Sequence, residues 1–178
     1  MENEQLHRPL SREHSGPEDD RIQLTETEFE KPRGVNHVEI RRGFARVHVS
    51  ALEQPIMEKR LGVLKAIAEK QVSIDFLKFT PSGLSFLCLT ESKSAIEEAL
   101  SGIGVHFTIQ TERCIFLAHA VNMRDEEGLI AQIIREAIST GAHLDHMSDM
   151  HDRVLIVTDE ASADRLSAHI HKAMEVSA

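Results

Sequence analysis

The densest run of side chains able to do chemistry is AHLDHMSDMHD, residues 142–152, in which His143, His146 and His151 stand beside Asp145 and Asp149. Imidazole and carboxylate together are a ligand set for zinc and related transition metals. The spacing argues against a shared ion. Along an extended strand His143 and Asp145 fall on one face and His146 on the other, with His151 beyond them in a turn, so the group reads as solvated polar residues at a strand end. His169 and His171 lie about 200° apart on a helix of 3.6 residues per turn and do not converge either. Cys88 and Cys114 sit inside the apolar runs SFLCLT and RCIFLA, where a thiol packs as a small hydrophobe rather than serving as a nucleophile. No serine, histidine and acid carry the local turn signatures of a catalytic triad, and there is no Walker-type phosphate loop. The expectation is a non-catalytic protein without metal or cofactor.

Composition narrows the class further. The 178 residues carry a formal net charge of −9, which repels phosphate backbones, and seven Phe supply all the aromatic rings, so nucleic acid is not expected as a partner. A hydrophobic content of 41% is enough to form the core of one domain or two small ones. The start, MENEQLHRPLSREHSGPEDD, lacks the basic and apolar regions of a signal peptide, and no apolar run reaches the roughly 18 residues of a membrane span. Two cysteines in apolar runs fit a reducing compartment. A cytoplasmic protein with no membrane contact is expected.

These side chains need elements to hold them. Residues 1–33 are polar and broken by Pro9, Pro17 and Pro32, which predicts a mobile tail. GVNHVEIRRG, residues 34–43, alternates like a short strand bounded by glycines. From Phe44 onward FARVHVS reads as a strand and PIMEKRLGVLKAIAEK as a helix, with Met57, Leu61, Leu64 and Ala68 on one stripe widened by Val63 and Ile67. VSIDFLKF and GLSFLCLT are two strands split by the turn Pro81-Ser82-Gly83. A helix through SAIEEAL, capped by Ser92 or Ser94, and a strand VHFTIQ complete a βαββαβ order. The order then restarts with RCIFLAHAV as a strand, EEGLIAQIIREAIST as a helix with Ile130, Ile133, Ile134, Ala137 and Ile138 on its apolar side, AHLDHMSD and RVLIVTD as strands, and SADRLSAHIHKAM as the last helix.

The second unit lacks a final strand, while a spare strand precedes the first. Sheet edges tend to be filled, so residues 35–41 are expected to complete the second unit. The predicted fold is α+β, with two ferredoxin-like βαββαβ units. The first, residues 44–111, is inserted in the second, residues 112–178, whose last strand comes from 34–43.

Two such units closed in this way resemble the tandem ACT domains of the regulatory C-terminal region of aspartokinases. The specific likeness is NMRDEEGLIAQIIREAISTGAHLDHMS, which is similar to that family's Gly-Met-Arg loop, helix-start glycine, helix, glycine and Asn-containing strand. Met123, Arg124, Gly128 and Gly141 occupy motif positions, Asn122 replaces the first glycine, and His143 stands where the family has Asn. The first unit departs from the family's acid-Lys-Pro-Gly loop and reads LEQPIMEKRLG, with no glycine at the turn. There is no amino-acid kinase domain.

The resemblance implies an amino-acid site at each loop. A helix N-terminus offers unpaired amides and a positive dipole end to a carboxylate. In the second unit Asn122, Met123, Arg124 and Gly128 would form the loop, and the main chain at Ala142, His143 and Leu144 would face it. Asp125, Glu126 and Glu127 are the competing occupants of the anion position. In the first unit Glu53, Gln54 and Ile56 are the equivalent loop, opposite Ser73 and Asp75, with a plain structural loop as the other reading. The implied function is a regulatory module that binds a small amino acid of the lysine, threonine or methionine class. It would signal, as a homodimer, to an aspartokinase or another amino-acid biosynthetic enzyme. The alternative is an ACT scaffold without ligand, used for dimerisation or protein interaction.

Overall fold

The computed structural model describes residues 34–120, 123 and 126–176; the expected tail at 1–33 lies outside them. The described chain runs β1 (Val35–Ser50), α1 (Ile56–Glu69), β2 (Asp75–Thr80), β3 (Gly83–Leu89), a short 3-10 turn (Thr90–Ser92), α2 (Lys93–Gly102), β4 (His106–Ala120), α3 (Leu129–Ser139), β5 (Leu144–Asp149), β6 (Arg153–Asp159) and α4 (Glu160–Ala173). The fold is α+β. All six strands form one antiparallel sheet in the order β2-β3-β1-β4-β6-β5.

Two long central strands organise it. The sequence patterns of 34–43 and FARVHVS are not separate strands but one of 16 residues, and VHFTIQ runs unbroken into RCIFLAHA as one of 15. They pair along their whole length, Val35–Arg41 against Ala120–Ile115 and Phe44–Ser50 against Arg113–His106. The register shifts on either side of Phe44: first β1 carries the extra residue, then β4 does. Gly43 (φ +82°) and Glu112 (φ +58°) adopt left-handed backbone at these two bulges. One added residue inverts which side chains face the helices. In β1 the core-facing residues are therefore Val38 and Ile40 before the bulge and Ala45, Val47 and Val49 after it.

Each half of the sheet carries its own pair of helices and its own core. Val47, Val63, Ile67, Phe86, Ile96 and Leu100 pack the first. Phe116, Met123, Ile133, Ile156, Leu166 and Ile170 pack the second. The opposite face of the sheet is also apolar at its centre, where Phe44, Leu87, Ile115, Leu117, Leu155 and Val157 cluster with Phe76. The sheet curls about this third cluster, so its outer strands approach: the rings of Phe76 on β2 and His146 on β5 meet edge to face with centroids 4.5 Å apart.

Helix orientation differs from the pattern read in the sequence. On α1 the buried residues are Val63, Ala66 and Ile67, whereas Met57 and Leu61 of the expected stripe are 59% and 67% exposed. The helix carries two adjacent apolar stripes, and only packing against β1 and β3 selects one. On α3 Leu129, Ile133 and Ala137 are buried and Ile138 faces solvent. Ser92 does stand at the N-cap of α2, but its side chain makes no capping bond.

Candidate functional site

The two loops singled out by the sequence both lead into helices, as amide-based recognition requires. At the first, Glu53 and Gln54 are exposed and Ile56 is half-buried at the start of α1. Gln54 Oε1 accepts a hydrogen bond from Ile56 N at 3.2 Å, so the chain itself occupies one of the helix's free amides. Glu53 lines a cleft of about 420 Å³ with Leu52, Glu58, Lys59 and His106. Ser73 and Asp75 lie outside that cleft. Both are exposed, Ser73 just before β2 and Asp75 opposite Leu87 of β3.

At the second loop Gly128 is the N-cap of α3, in left-handed conformation (φ +82°), with open space where a side chain would stand. That geometry favours glycine. Met123 points into the core and is 1% exposed. Asn122 and Arg124 lie outside the described residues. Glu126 does not cap α3 through its side chain; its carboxylate accepts from Gly34 N at 2.9 Å and ties the loop to the start of β1. Across from the loop, Ala142 N donates to Thr140 Oγ1 at 3.1 Å and His143 O accepts from Thr158 Oγ1 at 2.7 Å. Leu144 is half-buried opposite Thr158. Two of the main-chain groups expected to face a ligand are thus already paired.

A feature not legible in the sequence is the environment of Asp145. Between Leu144 and His146 the register of β5 against β6 slips by one residue. Asp145 is the extra residue, and the bulge brings it and His146 to the same cleft. This corrects the opposite-face placement that simple alternation gives. The Asp145 side chain is 1% exposed and lies 2.7 Å from Arg113 Nε, 3.3 Å from Arg46 Nη1 and 3.4 Å from His143 Nδ1. Its partners come from β1 and β4, so a single carboxylate joins both central strands to an outer one. His146 is held below its ordinary value, first by burial and then by the positive charges of Lys78 and Arg46. Among the described residues, no group of three or more His, Cys, Asp and Glu is arranged to hold a metal ion. None of the described helices is long and apolar enough to cross a membrane.

The order β2-β3-β1-β4 in one half of the sheet and β5-β6-β4-β1 in the other, with two helices over each, gives two ferredoxin-like halves that share the central strands, an arrangement compatible with ACT-like units. The chain matches no family model and no curated protein. Solved structures do match. Aspartokinase alpha and beta subunits superpose with a TM-score of 0.69 at 21% identity, over 79% of this chain and 98% of the other. The ligand-free regulatory subunit of aspartate kinase from Thermus thermophilus gives 0.67 at 18%, over 79% and 99%. E. coli aspartokinase III in complex with lysine and aspartate gives 0.61 at 9%, over 82% of this chain but 34% of that one. The chain has the fold of an aspartokinase regulatory region.

Proposed function

We propose that the chain is a non-catalytic regulatory module made of two ACT units, with the first inserted in the second and residues 34–43 closing the second. It binds a small amino acid of the lysine, threonine or methionine class and passes occupancy, as a homodimer, to an amino-acid biosynthetic enzyme such as an aspartokinase. The observation that carries this reading is coverage: the chain spans 99% of the regulatory subunit from Thermus thermophilus and 98% of the match among aspartokinase alpha and beta subunits, but 34% of E. coli aspartokinase III. The pairing of Val35–Arg41 with Ile115–Ala120 supports the insertion. Effector binding is assigned to the second loop, through Asn122, Met123, Arg124 and Gly128 with Ala142, His143 and Leu144, ahead of the first loop with Glu53, Gln54, Ile56, Ser73 and Asp75. An effector moves such a module only by its differential affinity for two packings of the units, typically about 1–3 kcal/mol.

A thermal-shift series with the common amino acids tests this. A ligand at about 100 times its dissociation constant stabilises the native state by about 2.7 kcal/mol, a clear rise in melting temperature. The expected result is a rise confined to lysine, threonine or methionine and lost in Arg124→Ala. No response to any amino acid would overturn the sensor reading in favour of the ligand-free scaffold. The internal pairing of Ile56 N, Ala142 N and His143 O favours that second reading.

A further inference from the structure

The face of the sheet away from the helices carries a cleft of about 120 Å³ between β2 and β5. Arg46 and His48 of β1 form its floor, Phe76 and Lys78 line one wall, and Asp145 and His146 line the other. Both walls are shaped by bulges. Phe76 is a non-glycine residue at φ +56°, and the register of β2 slips between Asp75 and Lys78 just as that of β5 slips at Asp145. Left-handed backbone at a bulky residue is unfavourable and persists where the surroundings impose it, often at binding sites.

The charges in this cleft do not balance. Among the described residues, Asp145 is the one carboxylate ion-paired with the two guanidiniums Arg46 and Arg113, whose side chains are 28% and 15% exposed. Lys78 forms no ion pair among the described residues; its Nζ lies 3.5 Å from His146 Nδ1. With neutral imidazoles the charged residues that line the cleft, Arg46, Lys78 and Asp145, leave an excess of one positive charge, and Arg113 stands behind Asp145 as a further cation, in a chain whose formal net charge is −9. Thr80 Oγ1, also on the wall, is buried without a hydrogen-bond partner among the described residues. Gathering like charges in a partly enclosed space is unfavourable unless an anion offsets it.

We propose that this cleft binds a small molecule bearing a carboxylate or phosphate group, seated between Lys78 and Arg46 with Thr80 as a neutral partner. The site is separate from both loops and does not rest on the amino-acid reading. Asp145 is already committed to two arginines, so the cleft offers no free carboxylate to an ammonium and takes simple anions ahead of α-amino acids. Lys78 and Thr80 belong to β2 and Arg46 to β1, so the bound anion ties an outer strand to a central one, beside the wall that Asp145 and His146 form on β5.

The test is calorimetric titration of the full chain with sodium phosphate and, separately, sodium succinate, each against sodium chloride of matched ionic strength. Saturable binding of one anion per chain by at least one probe, at or below about 10 mM, is expected. The probe that binds identifies the anionic group. Lys78 is exposed on a sheet edge, and Lys78→Ala should weaken binding by about tenfold or more, since removing a unit charge near 4 Å exceeds that at an effective dielectric of about 20. Lys93→Ala, the same charge change on α2, should bind as the parent does. Absence of saturable binding by both probes, or equal weakening in the two variants, would overturn the proposal.

Discussion

Replacing Asp145 by alanine removes the single carboxylate that holds Arg46 and Arg113 together. For a fully buried pair, deleting one partner destabilises by about 3–5 kcal/mol, because the remaining charge has lost both water and its counter-ion. Two features reduce the figure here. The arginine side chains keep 28% and 15% of their exposure, and the 2.7 Å contact of Arg113 Nε with Oδ2 is an ionic contact without hydrogen-bond alignment. The expected loss is therefore about 2–3 kcal/mol. In urea, with a slope of about 2 kcal/mol/M for a chain of this size, the unfolding midpoint should fall by about 1 M. The companion variant Arg113→Met removes part of the stranded charge, so the double variant should be less damaged than the sum of the singles, by about 1 kcal/mol or more. A midpoint shift in Asp145→Ala under about 0.2 M, or strict additivity in the double variant, would show that the carboxylate is not the junction described.

Three further outcomes follow from other parts of the fold. Asp159 caps α4 by accepting from Ser162 N at 2.8 Å; burial alone would raise its pKa, but the hydrogen bonds from Ser162 outweigh this and hold it below its ordinary value. Its contribution is present above the unfolded carboxylate's pKa of about 3.9 and lost as pH falls through the lower folded value, so Asp159→Ala should cost about 1 kcal/mol at neutral pH and flatten the acid limb of melting temperature against pH. An unchanged acid limb would contradict the capping role. Gly83→Ala places a Cβ 1.9 Å from Val49 O, a backbone atom, and should lower stability by about 1–3 kcal/mol; an unaltered melting temperature would refute the close approach. Cys88 and Cys114 are both pushed up to about 11 by burial, so at pH 8 neither should react with a thiol reagent until the chain unfolds, and rapid labelling of the native protein would disprove their burial.

The sequence pattern carried the element types and their order because both helical and strand periodicities are strong here. It failed where two elements meet. The joins at Gly43 and Glu112 look like boundaries in the pattern, since the face that is apolar switches there, yet a bulge makes the same switch without ending the strand. On α1 two adjacent stripes were equally apolar, and tertiary packing chose Val63 and Ile67 over Met57 and Leu61. The loops were legible as helix starts, but the bonds that fill them come from single side chains such as Gln54, Thr140 and Thr158, whose direction no periodicity encodes. Asp145 was visible as an acid among histidines. Its arginine partners stand 99 and 32 residues earlier in the chain, and only the strand register brings them together.

The continuity of β1 through both halves also sets a timetable for folding. Phe44–Val49 meet β3 at Leu89–Leu84, whereas Val35–Arg41 must wait for partners between 74 residues later, at Ile115, and 85 residues later, at Ala120. Loop closure of that span is unfavourable until other contacts reward it. The first half can therefore assemble from its own residues, and in doing so it brings the leading end of β1 and the far end of β4 side by side, the pair of edges on which the second half builds. Pulse-labelled hydrogen exchange during refolding should find the amides of β3 protected before those of β5, and the reverse order would refute the sequence of events. A nascent chain halted before Ile115 would hold a finished first half with one strand end still waiting for its neighbour.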